Sequence, residues 1–530
     1  MIGDPLHYPH PSRRNVIYGT DMVCTSHPLA SQAGLDILKA GGNAVDAAVA
    51  AAACLTVVEP TSCGIGGDAF AILWVEGKLR GLNASGYAPA DLIPSVMDGH
   101  QRMPFHGWTP VTVPGGPAAW SQLVNAHGEM SLEEVLEPAM EYAEKGHPVA
   151  PTVGYHWNRA LHILRSLKGP EFVPWFETFA PDGSPPGIGE SWRSPGHRRT
   201  LELLAETDSQ SFYRGELAEA IDSFSRETGG YIRASDLESY EPQWVEPVGV
   251  DYRGFDVWEM PPNSQGMVAS MALKILNHME PGEPGSLDTY HRQIESIKMA
   301  FQVGREYITD SEYMKTDYHE LLQDDFIDDL RMNIGEDARL PSGADPERGG
   351  TVYLASADSR GNMVSYIQSN YMGFGSGIVV PGTGISLQNR GASYSLDPSH
   401  INFLEPGKRP FHTIIPGFIT RGGKPLGPFG VMGGHMQPQG HLQVISNMID
   451  FDMNPQAALD SPRWMWEKEN KVLVEPSVPR HVAKGLQRKG HHIRYALEEG
   501  YFGRGQIILR SGDSYCAGTE PRADGHIAVQ

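Results

Sequence analysis

The tripeptide Gly349-Gly350-Thr351 places a hydroxyl directly behind two residues that lack side chains. For a threonine to cut its own chain, its hydroxyl must reach the carbonyl of the preceding residue, and side chains there would obstruct the approach. Cleavage between Gly350 and Thr351 would leave Thr351 with a free α-amino group. Such an amine has a reference pKa of ~7.7 to 8.0, so part of it is unprotonated near neutral pH and can act as base for its own hydroxyl. Taken alone, the tripeptide also fits a loop entering an edge strand. Of the seven Gly-Gly pairs among 60 glycines, however, only Gly349-Gly350 is followed directly by Ser or Thr.

Acyl chemistry also needs donors for a developing oxyanion, and a glycine-rich backbone turn can supply them. The stretch Gly427 to Gly440, containing Gly433-Gly434, is the candidate, because the helix-like run His441 to Ile449 follows it and helix entry adds dipole support. A plain strand-to-helix connection would look the same. Other chemistries find less support. There is no G-x-S-x-G elbow, and His435 and His441, six residues apart in a glycine loop, make a poor metal-ligand pattern. No cofactor and no metal is expected.

The elements around these residues follow from periodicity and punctuation. Pro28 to Lys39 reads as an amphipathic helix closed by Gly41-Gly42, and Asn43 can cap an Ala-rich helix that holds the longest apolar run, Ala47 to Val58. A glycine loop, Ser62 to Asp68, leads into a strand, Ala69 to Val75. Helix, loop, strand is the wrong order for a dinucleotide fingerprint. Leu287 to Ile308 is the clearest long helix. Glu336 to Gly350 has the composition of an exposed connection, after which Thr351 to Ala357, a turn at Asp358 to Asn362, and Met363 to Gln368 read as an antiparallel strand pair. Thr351 therefore opens a strand behind a loop. One large α/β unit is the simplest architecture.

Composition narrows the partners. With 42 basic and 64 acidic residues the formal charge is −22, which disfavours nucleic acid and leaves a small molecule. Cys24, Cys54, Cys63 and Cys516 show neither a C-x-x-C pair nor zinc spacing. No apolar run reaches the ~20 residues of a membrane span, and Met1 to Arg14 has no secretory signal pattern. A cytoplasmic location is expected.

Together these blocks resemble the γ-glutamyltranspeptidase family of N-terminal-nucleophile hydrolases. The resemblance runs through Ala40 to Val49, Gly64 to Phe70, Val113 to Pro117, Met260 to Gly266, Ala300-Phe301 with Tyr307, Gly349 to Thr351, Pro406 to Pro410, Gly433-Gly434 and Ser461 to Arg463. It implies an αββα sandwich cut into a large subunit, residues 1–350, and a small one, 351–530. These two subunits of one precursor would be each other's partners, with room for a homodimer of the processed pair. Thr351 matches the family nucleophile, Gly433 and Gly434 its oxyanion hole, and Ser369 the second hydroxyl beside the nucleophile.

The substrate-reading positions depart from the family. Ser85 stands where an arginine grips the substrate α-carboxylate, and Ser393 where an aspartate receives the α-ammonium. His412-Thr413 replaces a Ser-Ser pair, Tyr371 an Asn, and Arg390 a Gln or Glu. The combination resembles the branch containing oxamate amidohydrolase and glutathione hydrolase-like proteins. Oxamate carries one carboxylate and no α-amino group. Arg390 is open to two readings, a bidentate grip on such a carboxylate and a structural ion pair. Three functions are carried forward: hydrolysis of a small carboxylate amide, with oxamate giving oxalate and ammonia; glutathione hydrolysis or γ-glutamyl transfer; and a non-catalytic binding module. The last is disfavoured by retention of Thr351, Ser369 and both glycines.

Overall fold

A computed structural model describes residues 14–341 and 350–530 of the chain. Two seven-stranded sheets lie face to face between two layers of helices. From edge to edge the first sheet runs His526–Val529, Met22–Thr25, Gly350–Ala357, Met363–Tyr371, Asp68–Val75, Lys78–Ala84 and Gln243–Val245. The second runs Ile17–Gly19, Ser514–Thr519, Arg504–Ser511, Lys424–Met432, Gly417–Arg421, Phe255–Glu259 and Val248–Tyr252. Every pairing within them is antiparallel.

Three apolar clusters bind the layers. Phe70, Tyr353, Ile367, Phe418, Met432 and Ile508 belong to the cluster between the sheets. The Ala-rich helix Ala44–Val58 is buried along its whole length in a second cluster, under the first sheet. Its composition, apolar but for Asp46 and Thr56, fits that position, since no face meets water. The helices Gly266–Asn277, Leu287–Tyr307 and Met436–Ile449 cover the second sheet in a third cluster. The expected αββα sandwich is the observed fold.

Local signals explain most boundaries. The helix Pro28–Lys39 has the expected bounds, and Asn43 closes a reciprocal capping box with Asp46 at the start of the next helix. The long helix runs Leu287–Tyr307. The strand pair also appears, its second member continuing to Tyr371. One expectation needs correction. The stretch Gly427 to Gly440 is not a single turn: its first part is the strand Lys424–Met432, and the helix expected from His441 begins at Met436. Pro438 and Gly440 disguise that start. Pro438 falls in the first turn, where its missing N–H costs no intrahelical bond. At Gly440 a Cβ would meet Val431 Cγ1 at 2.6 Å, so this glycine serves close packing of helix on strand. Only Gly433, Gly434 and His435 connect the two elements.

Gly349, and the connection expected from Glu336 between residues 342 and 349, lie outside the described residues. Among the described residues no helix is long and apolar enough to cross a membrane.

Candidate active site

Gly350–Ala357 and Met363–Tyr371 pair in register except at one point, where Gly350 lies opposite Tyr371 and Val352 opposite Gln368. Ser369 and Asn370 therefore oppose the single residue Thr351. A bulge of this kind re-aims side chains next to the break. Here it brings the Thr351 and Ser369 hydroxyls to 3.0 Å. Ser369 also donates to the Gly350 carbonyl oxygen at 2.8 Å and accepts from the Tyr371 amide at 2.8 Å. With the Ser369 proton spent on Gly350, the Thr351 hydroxyl is the donor between the two. Thr351 is 1% exposed. A Cβ on residue 350 would meet the Gly373 nitrogen at 2.9 Å, which accounts for glycine there.

Gly433 and Gly434 bridge the second sheet and the Met436–Ile449 helix with φ of 136° and 64°, backbone that favours glycine. Among the described residues neither amide has a backbone acceptor. Gln265 holds the turn from behind, donating to the Gly434 carbonyl at 2.9 Å and to that of Thr413. The two amides sit at a helix entrance, Gly433 half-buried and Gly434 buried, and are suited to hold a developing oxyanion. A cavity of ≈ 560 Å³ has Gly350 and Gly433 in its wall, together with Phe105, Tyr155, Ile163 and Met465.

Next to this centre lies a buried charged group. Arg390 is fully buried, its guanidinium 4.1 Å from the centre of the Tyr371 ring, and it donates one Nη1 bond of 2.6 Å to Thr413 Oγ1. Among the described residues its Nε and Nη2 have no partner. Arginines in the cavity wall differ: Arg159 pairs with Glu498, Arg504 with Glu59, and Arg522 with Glu475. Among the described residues Arg390 has no carboxylate within ion-pair distance. Burial pulls its pKa down to about 10, so it stays a cation at neutral pH.

His412 lies outside that contact and pairs with Asp68 at 2.9 Å. Asp68 also accepts from Gln388 at 2.7 Å and from the amides of Gly86 and Gly115. Burial pushes the Asp68 carboxyl up to about 7 and holds His412 well below the ordinary histidine range. The charges of Asp68 and Arg390 act on each other. Ser85 and Ser393 have committed hydroxyls: Ser85 bonds Asn83 at 2.7 Å, and Ser393 bonds the carbonyls of Arg390 and Phe411. His435 faces Gln265 and His441 faces Glu259, so the two histidines have separate partners.

Sequence reasoning passed over Asp68, Gln388, Gln265 and Asn370, the last buried with both side-chain polar atoms unpartnered among the described residues. Asp68 carried a signal, a carboxylate ending a glycine loop at a strand start. The others had none.

A family model described as Gamma-glutamyltranspeptidase matches residues 30–530. The chain belongs to the γ-glutamyltranspeptidase family. It is 36% identical over 525 residues to the glutathione hydrolase-like YwrD proenzyme of Bacillus subtilis, with 97% of this chain and 99% of that protein covered. Identity to the oxamate amidohydrolase proenzyme of Klebsiella pneumoniae is 32% over 522 residues, covering 96% and 98%. The crystal structure of a cephalosporin acylase from Bacillus halodurans superposes with a TM-score of 0.97 at 53% identity, over 100% of this chain and 99% of that one. This γ-glutamyltranspeptidase-family member is thus an N-terminal-nucleophile hydrolase with an amidohydrolase-like function, a precursor of two subunits that acts on a small molecule.

Proposed function

We propose that the precursor cuts itself between Gly350 and Thr351, and that the enzyme then hydrolyses the amide of a short acyl group bearing a carboxylate, oxamate being the simplest. Maturation starts from the bonds around Ser369. Thr351 Oγ1 attacks the Gly350 carbonyl carbon, which Ser369 polarises, and the C–N bond breaks as its nitrogen takes up the proton that Oγ1 loses. Water hydrolyses the resulting ester and frees the Thr351 amine.

In turnover that amine takes the Oγ1 proton while Oγ1 attacks the substrate carbonyl. The Gly433 and Gly434 amides hold the oxyanion. Collapse expels ammonia, or an amine, with the proton returned by the Thr351 ammonium, and leaves an acyl-enzyme ester. Water, deprotonated by the same amine, releases the acid.

One observation carries the substrate class: Arg390 is a buried cation with two unpartnered donors, close to Tyr371, which lies opposite Gly350. A carboxylate would satisfy both donors in a bidentate contact. The committed hydroxyls of Ser85 and Ser393 leave no charged pair for the α-carboxylate and α-ammonium of a γ-glutamyl group, whose unpaired burial would be costly. The cavity favours a second reading of the leaving group. It exceeds what ammonia needs, and a relative is named a cephalosporin acylase, so a bulky amine fits there with the same carboxylate at Arg390.

Steady-state kinetics on oxamate, a carboxyacyl amide of a bulky amine, and glutathione tests both readings. Either of the first two should exceed glutathione in kcat/KM. Arg390→Ala should raise KM more than it lowers kcat if Arg390 holds ground and transition states alike. A much larger kcat/KM for glutathione would restore the glutathione hydrolase reading.

A further inference from the structure

A second group of titratable side chains lies on the Leu287–Tyr307 helix, outside the site above. His291 and Glu295 are four residues apart and share a helix face. His491, 200 residues beyond His291, meets them from just before the strand His492–Tyr495. All three are buried, and their ligand atoms lie within 4.8 Å of one another. The helix continues to Phe301, whose ring contacts His435 beside the oxyanion turn. Ten residues of rise put His291 about 15 Å away from that contact.

We propose that His291 Nδ1, His491 Nε2 and Glu295 Oε1 bind a zinc-class divalent cation. The two nitrogens face each other at 2.9 Å, and Glu295 Oε1 is 3.8 Å from His491 Nε2. Two Zn–N bonds of ~2.0 to 2.1 Å at a tetrahedral angle separate their nitrogens by about 3.3 Å, so an ion needs only a slight widening. The surroundings fix the roles of two ligands, while His491 Nε2 must release to solvent the proton it shares with His291 Nδ1 or move it to its own Nδ1, which has no partner among the described residues. His291 gives its Nε2 proton to the Gly335 carbonyl at 3.0 Å, which leaves Nδ1 with a lone pair aimed at the group. Glu295 Oε2 accepts from the Arg339 amide at 3.2 Å, leaving Oε1 to point inward. His491 also lines a surface cavity with Glu467, Gln487 and His492, through which the ion and a water ligand can enter. The two imidazole donors favour zinc-class ions over Mg²⁺ or Ca²⁺.

Lys298 opposes the ion. Its ammonium bonds Glu295 Oε1 at 2.6 Å and Asn470 at 3.0 Å, placing a like charge beside the metal. That neighbour supplies a discriminating variant, because Lys298→Met removes the charge and leaves the three ligands. The ligands lie on both sides of Gly350-Thr351, so a bound ion would tie the two segments together. It would also anchor residues 335–339 through Gly335 and Arg339.

The test uses tag-free, chelator-treated protein with Zn²⁺ in titration calorimetry and Co²⁺ in absorption spectroscopy. One Zn²⁺ per chain should bind and raise the Tm, and Co²⁺ should show the visible band of a low-coordinate histidine site. Lys298→Met should bind about tenfold tighter or more. His291→Phe and His491→Phe should lose the band and the Tm rise. Absence of stoichiometric binding by the wild-type chain overturns the proposal whatever the variants do. Equal binding by folded His491→Phe overturns it too, as does weaker binding by Lys298→Met.

Discussion

Thr351 and the stretch holding Gly433 and Gly434 were legible as candidates because their chemistry is written locally, a hydroxyl behind glycines and a glycine-rich run ahead of a helix, whereas Ser369 came only from the family resemblance. Arg390 was legible as a cation in an unusual place, but its free donors were not, since they depend on Thr413 and Tyr371 and, among the described residues, on the absence of a carboxylate within ion-pair distance. Asp68 was missed as a partner because 344 residues separate it from His412. Its position makes a residue-scale prediction. Burial raises the Asp68 pKa to about 7, and its charge acts on Arg390. Above that pH the carboxylate partly offsets the cation that an anionic substrate would need. Below it Asp68 is neutral while Arg390, with a pKa of about 10, remains charged. KM for a carboxylate substrate should therefore fall as pH drops through about 7. Over the same range kcat should fall, because the Thr351 amine, with a reference pKa of ~7.7 to 8.0, becomes protonated. Asp68→Asn should flatten the KM profile and leave the slope of kcat in place. An unchanged KM profile in that variant would remove Asp68 from substrate binding.

At the scale of elements, strands and helices with ordinary punctuation were readable, including Pro28–Lys39 and the hairpin that opens at Thr351. Two features were not. The bulge that sets Ser369 and Asn370 against Thr351 arises from pairing between strands, and no single strand's pattern encodes it. The helix start at Met436 was hidden by Pro438 and Gly440, whose usual role as breakers is suspended in a first turn and at a tight helix–strand contact. The early start matters because it brings the helix entrance next to Gly433 and Gly434. Gly434 has φ of 64°, which a β-branched residue adopts only with strain. Gly434→Val should reorient that amide and lower kcat by roughly 10² to 10³-fold, the cost of losing one oxyanion donor. KM should change far less. Rates are to be taken on the cleaved fraction, so that a maturation defect is not read as a catalytic one. Full kcat in cleaved Gly434→Val would place the oxyanion donors elsewhere.

At the scale of the whole molecule, the four-layer stack came from the family resemblance, whereas the interleaving of its two segments required the structure. Each sheet takes strands from both sides of Gly350-Thr351. In the first, Met22–Thr25 lies between His526–Val529 and Gly350–Ala357, and Met363–Tyr371 pairs with Asp68–Val75. In the second, Gly417–Arg421 pairs with Phe255–Glu259, and Ser514–Thr519 with Ile17–Gly19. Separating the segments would break backbone ladders in both sheets and expose the apolar cluster between them. Such a boundary behaves as the inside of a domain, not as a docking face. Cleavage at residue 350 should therefore leave a single particle. A denaturing gel should resolve two fragments, the shorter beginning at Thr351, while native size-exclusion chromatography should keep them in one peak in equal amounts. Thr351→Ala should elute at the same position as one uncut, inactive chain, because the fold precedes the cut. Fragments that part under native conditions would contradict this shared core. An active wild-type enzyme that stays full length, with Thr351→Ala equally active, would remove the self-processing mechanism itself.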